Sequence, residues 1–213
     1  MLSQDKRNLL IQRRREEILD AAKLVFARNG YRRTLTDTII AELGVGKGTL
    51  YKYFRNKKTL FLAVFYRGMQ QLREVIRVKI EPITDPRQKI INGVRTYFEF
   101  FDNDKELIEI IMQVRSEFKD EYRQNFLEMY NDYIGQIQQN LKNGIALGQF
   151  REVDIEKTAD AISDILQGTL QSYYILKANE KLADKTQAVT ALLLKGVLKI
   201  SNEASAQSRE LQI

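Results

Sequence analysis

Three features of the 213-residue sequence predict an all-α protein. Apolar residues recur at helical spacing along most of its length, and no stretch alternates β-branched residues between turn signals. The only two prolines, Pro82 and Pro86, stand together in EPITDP, where they interrupt a chain otherwise permissive for helix. They mark the start of a larger helical bundle over residues 82–213, which follows a head over residues 1–55 and a connecting helix over 56–81.

The first helix is expected from about Leu10 to Arg28, where Ile18, Ala22, Val25 and Phe26 form one apolar stripe. Gly30 supplies its C-terminal cap. Thr36 is positioned to cap a second helix with Ile39, Ile40 and Leu43 inside. Gly44 turns the chain, Val45 plugs the core, and a third, short helix runs to Phe54. Asn56 caps a fourth that reaches about Lys79, with Leu60, Val64, Met69, Leu72 and Ile76 as inner positions. Beyond Pro86, successive stripes mark the bundle: Ile90 to Phe101, Leu107 to Val114, and a long one from Phe118 to Ile145. Asp154 caps the next helix, with Ala159, Ile162, Ile165, Leu166, Leu170 and Tyr173. The last spans about Lys185 to Ile200, with Val189, Leu192, Leu193 and Val197.

Residues 44–54, GVGKGTLYKYF, are the most informative stretch. A glycine turn opens a helix with only Leu50 and Phe54 for the inside and lysines and tyrosines on its outer side. So short a helix does not persist alone in water, because nucleation is costly. Packed neighbours must hold it while it presents backbone, hydroxyls and cations outward, as insertion into a DNA major groove requires.

Charge supports the same reading. Residues 1–60 hold 14 Lys/Arg and 6 Asp/Glu, a net of +8, whereas the remaining 153 residues carry a net of −2. This suits a polyanion-binding head on a near-neutral body, or else a solvated basic surface. Lys57 and Lys58 stand in the first turn of the fourth helix, where the helix dipole disfavours cations. Either a phosphate docks there or two lysines are simply solvated.

Composition excludes whole classes of chemistry. With no cysteine and no histidine, a zinc finger, a thiol enzyme and a Ser-His-Asp hydrolase are ruled out. No clustered acid pair or nucleophile motif supports an enzyme using carboxylates or lysine, so none is expected, and neither is a cofactor or metal. The longest uncharged stretch, the 12 residues Ile165 to Leu176, is too short for a membrane span, and the N-terminus does not read as a secretory signal. A cytoplasmic protein without a membrane partner is expected.

RREEILDAA from Arg14, VFARNGY from Val25, and GVGKGTLYKYF from Gly44 with its NKKTLF continuation make a pattern of more than thirty positions. In these stretches residues 13–65 closely resemble the DNA-binding region of the TetR family of transcriptional repressors. Gly46 stands where that family often has serine, Leu35 where it often has threonine, and Lys58 where an acidic residue is usual. The Gly144 to Arg151 segment resembles the family's break between its seventh and eighth helices.

The resemblance implies a helix-turn-helix head and nine to ten helices in each subunit of a homodimer. It implies a repressor released from a palindromic double-stranded DNA operator by a small effector. By position, Lys47, Gly48, Thr49, Tyr51, Lys52 and Tyr53 face the major groove, with Lys52 as a candidate reader of guanine edges. Thr36, Tyr51 and Lys57 are further phosphate anchors. Arg13, Arg14 and Arg15 lie against the backbone, enter the minor groove, or form a mobile basic arm. The family's dimer interface corresponds to residues 155–176 and 185–200, with Ile162, Ile165, Leu166, Leu170, Leu193 and Val197 as candidates. Gly168 and Gly196 permit close helix approach or mark local packing. For the effector, Phe98, Phe101, Phe118, Tyr122, Phe126, Tyr130 and Tyr173 offer either a mainly hydrophobic pocket or plain core. An architectural DNA-binding dimer without an inducer is the alternative.

Overall fold

The structure, a computed structural model, describes residues 4–176 and 179–198, apart from the side chains of residues 4, 125, 126, 128 and 129. Phe126 and Ile200, both singled out above, therefore lie outside the described residues. Among those described, nine α-helices and one 3₁₀ turn follow one another without a strand. They are α1 (Gln4–Asn29), α2 (Thr36–Leu43), α3 (Lys47–Tyr53), α4 (Lys57–Ile80) and α5 (Pro86–Asn103). Then come α6 (Lys105–Glu117), α7 (Lys119–Ala146), α8 (Ile155–Leu176), the 3₁₀ turn Leu182–Lys185 and α9 (Thr186–Val197).

The helix boundaries follow local chemistry. Gly30 and Gly44 take the left-handed conformation, φ +78° and +64°, that ends α1 and α2. The Asn56 carboxamide accepts the Thr59 N–H at 2.8 Å at the start of α4, and the Asp154 carboxylate accepts that of Lys157 at 3.1 Å. Asp85 and Asp104 do the same for α5 and α6. Thr36 does not cap α2. The N-cap position is Leu35, whose side chain makes no cap, and the Thr36 hydroxyl turns to Tyr51 instead.

The helices gather into two compact units that do not follow the linear divisions at residues 55 and 81. One joins α1–α3, α4 as far as Glu74, α6 and the start of α7; the other joins the end of α4, α5, the rest of α7, α8 and α9. In the first, Ile18, Ala22 and Phe26 of α1, Leu50 and Phe54 around α3, and Phe61 and Phe65 of α4 are buried with Leu107, Ile110 and Val114 of α6. Val45 is only half-buried. Lys23 pairs with Asp104 at 2.9 Å, and Arg67 of α4 reaches Glu16 at 2.9 Å and Asp20 at 2.8 Å on α1. Gln113 accepts the Tyr31 N–H at 2.7 Å and donates to the Phe26 carbonyl at 3.2 Å.

In the second unit the core holds Phe98, Phe101, Leu141, Phe150, Ile162, Leu166, Leu170 and Tyr173. Asp102 accepts the N–H groups of Leu182 and Ala183, both at 2.8 Å, and so fixes the 3₁₀ turn. Gly144 lets the Phe150 ring lie directly on α7, since a Cβ there would overlap the ring. Gly135, on the same helix, has open space around it. Gly144→Ala should therefore cost about 1–3 kcal/mol by overpacking, whereas Gly135→Ala should gain about 0.5–1 kcal/mol from helix propensity. Opposite shifts of the urea midpoint are the expected measurement.

Candidate nucleic-acid interface and ligand cavity

The interface is built on α3. Leu50 and Phe54 are buried, so Lys47, Gly48, Tyr51 and Lys52, at i, i+1, i+4 and i+5, share the opposite, exposed face. Thr49 and Tyr53 flank it half-buried. The chain enters α3 from Gly44, where the Gly44 and Val45 N–H groups close back on α2 carbonyls. Gly46 at the N-cap position offers no side-chain bond. A Cβ at Gly48 would meet nothing within 4 Å, so its surface is open.

Polar contacts order this face. The Thr36 and Tyr51 hydroxyls lie 3.1 Å apart, and Lys47 pairs with Asp37 at 3.1 Å. Hydrogen bonding to Asp37, then its charge, holds the Lys47 ammonium above its ordinary pKa. Lys52 is exposed and has no partner among the described residues.

Lys57 corrects the expectation that it anchors phosphate. Its ammonium donates to the carbonyls of Tyr31, Arg32 and Thr34 at 2.9, 3.2 and 3.0 Å, and lies 4.5 Å from the Tyr31 ring centroid. All three donors are spent on the loop between α1 and α2. Lys58 remains exposed but pairs with Glu121 and lies over the Phe118 ring. The cations at the start of α4 are satisfied within the protein. Arg13, Arg14 and Arg15 are helical, paired with Glu17, Glu17 and Glu16, and Arg15 also covers the Phe54 ring. They therefore start from an ordered helix, with the Arg13, Arg14 and Arg15 side chains 78%, 46% and 47% exposed on its surface.

In the second unit, α4, α5, α7 and α8 enclose a cavity of about 360 Å³. Its walls are mainly aliphatic, from Ile76, Ile80, Ile90, Val94, Ile137 and Ile162, with Tyr133 among them. Burial pushes the Tyr133 phenol pKa up. Arg77, Glu81, Lys89, Gln136, Gln139 and Asn143 give it polar positions. Asn140 also lines it; its Nδ2 donates to the Pro86 carbonyl at 3.0 Å, while its Oδ1 is buried without a partner.

Of the aromatic residues proposed for a pocket, none whose side chain is described lines this cavity. Phe98, Phe101 and Tyr173 are core, and Phe118 and Tyr122 belong to the first unit, where Phe118 packs on Tyr31 and Phe61. The Tyr130 hydroxyl bonds Asp160 at 2.6 Å, which, with burial, pushes its pKa up to about 12. The interface candidates need a similar correction. Ile162, Leu166, Leu170, Leu193 and Val197 are buried within one chain and Ile165 is half-buried. The exposed apolar positions are instead Ile175 (63%) and Leu176 (72%) of α8 and Leu192 (63%) of α9. Gly168 and Gly196 are exposed as well.

A family model described as bacterial regulatory proteins, tetR family, matches residues 18–64, the span of the head just described. A second, the tetracyclin repressor-like C-terminal domain, matches residues 83–173. The chain belongs to the TetR family. Among relatives in this family, the fatty acid metabolism regulator protein of Bacillus subtilis is 25% identical over 182 residues, covering 85% of this chain and 94% of its own. The transcriptional activator FasR of Mycolicibacterium smegmatis is 34% identical over 100 residues, 47% of this chain and 46% of its own. Among solved structures, Bacillus subtilis FadR in complex with stearoyl-CoA has a TM-score of 0.76 at 26% identity, with 85% of this chain and 98% of that one covered. A regulator from Saccharomonospora viridis in complex with choline shares the fold, with a TM-score of 0.78 at 20% identity over 87% of this chain and 98% of that one. As in the rest of the TetR family, this is a DNA-binding transcriptional regulator with a helix-turn-helix head.

The two lysines on either side of Phe54 should now separate cleanly. Lys57→Met should lower the stability of the first unit by about 1–3 kcal/mol, because three carbonyls lose a charged donor. The slope of log K for DNA against log salt should stay as it is. Lys52→Ala should alter base preference in a binding-site selection while leaving the urea midpoint in place. An equal loss on operator and random DNA would reassign Lys52 to the phosphate backbone.

Proposed function

We propose that this TetR-family protein represses transcription by holding a palindromic operator as a homodimer, and that a mainly apolar ligand in the second unit's cavity releases it. The observation that carries this reading is that one helix serves both tasks. α4 supplies Lys57, which ties the loop before α2, and Ile76 and Ile80, which line the cavity. The aliphatic lining suits a ligand built on a hydrocarbon chain, a class to which the acyl group bound by Bacillus subtilis FadR belongs.

In this reading Lys47, Gly48, Thr49, Tyr51, Lys52 and Tyr53 meet the major groove, Lys52 reading a base edge and Thr36 and Tyr51 meeting phosphate. Arg13 and Arg14 lie along the backbone. A second copy covers Ile175, Leu176 and Leu192, which form the two-fold contact of α8 and α9. The paired heads then address half-sites about 34–36 Å apart. A ligand releases DNA only by as much as it prefers the conformation with the wrong spacing.

Selection from random duplexes should return a palindromic consensus, and a long-chain acyl ligand should weaken binding to it. A consensus without symmetry, unaffected by any such ligand, favours the architectural alternative. Leu192→Arg should yield monomers in light scattering and lower operator affinity at least about tenfold, the loss of one well-packed contact.

A further inference from the structure

One cation in the cavity wall is unaccounted for. Lys89 lies in the first turn of α5, half-buried, and its ammonium has no carboxylate or hydrogen-bond partner among the described residues. The charged groups around it are engaged elsewhere. Arg77 pairs with Glu81 at 2.5 Å, and Asp85 accepts the Gln88 N–H at 2.8 Å and the Gln149 amide at 3.1 Å.

This position is doubly unfavourable for a free cation. Partial burial strips it of water, and the start of a helix repels positive charge. An uncharged ligand filling the cavity deepens that cost, because it excludes water from an ammonium it cannot pair. A ligand with an acidic group reverses it through a charge-assisted hydrogen bond.

Building on the assignment of this cavity to the effector, we propose that the effector is an amphipathic anion: its hydrocarbon chain lies against Ile76, Ile80, Ile90 and Ile137, and its acidic group pairs with Lys89. Arg77 is a poor substitute because Glu81 already neutralises it. The acidic group is a carboxylate or a phosphate, and the two are told apart by the probes below.

The test uses the full-length protein, its fold checked by circular dichroism, with dodecanoate, dodecanol and dodecanoyl-CoA competing against a fluorescent fatty-acid probe. An acidic ligand should bind wild type about ten- to a hundredfold tighter than dodecanol, the range of one charged hydrogen bond. Lys89→Met should bring that ratio to near one, and Lys89→Arg should keep it. If dodecanoate carries the Lys89-dependent advantage, the group is a carboxylate; if only dodecanoyl-CoA does, it is a phosphate. Equal binding of acid, alcohol and thioester to wild type overturns the proposal while leaving the cavity as the effector site. So does an advantage that survives in Lys89→Met. Failure of all three to bind or to release DNA overturns both.

Discussion

The structure depends on a shortage. A seven-residue helix forms too few internal hydrogen bonds to repay its nucleation, so α3 exists only because Leu50 and Phe54 are buried under it. Neither α2 nor α3 has a side-chain cap, since Leu35 and Gly46 occupy the N-cap positions. The left-handed turn at Gly44 and the apolar floor from α1 and α4 therefore hold the pair in place. Burying only two side chains is also what frees the opposite face, so the geometry that makes the helix fragile makes it available to DNA.

Polar contacts then set how that floor is assembled. Lys57 binds three carbonyls of one loop, Gln113 bridges the end of α1 to α6, and Lys23 reaches Asp104. These groups sit at partly buried positions where an unmet charge or carbonyl is costly, so each fixes a register that apolar packing alone leaves loose. Around them, Tyr31, Phe61 and Phe118 form an aromatic cluster with centroids 4.8–5.8 Å apart.

The all-α class, the order of the helices and the head were legible because they rest on short-range signals: helical spacing, left-handed glycines and asparagine or aspartate caps. Phe98, Phe101 and Tyr173 show where such signals end. An aromatic stripe reports that a helix has an inside, and it does not report whether a cavity or a neighbour occupies it. The cavity is lined by isoleucines interleaved with Gln136, Gln139 and Asn140, a mixture that has no signature in one dimension. The same ambiguity moved the expected subunit contact, because the strongest apolar positions of α8 and α9 face their own chain and weaker ones face out. Lys57 was misjudged because its partners, the carbonyls of Tyr31, Arg32 and Thr34, are far away in sequence. The proline boundary is not a boundary between the compact units, since α6 packs with the N-terminal helices across it.

That last arrangement bears on how such proteins can be recombined. A chimaera made by exchanging only residues 1–55 with a homologue would sever Lys23 from Asp104, Arg32 from Glu117 and Tyr31 from Gln113 at one stroke. The natural cassette is discontinuous, and a graft meant to retarget DNA specificity has to bring residues 56–74 and 103–126 along with it.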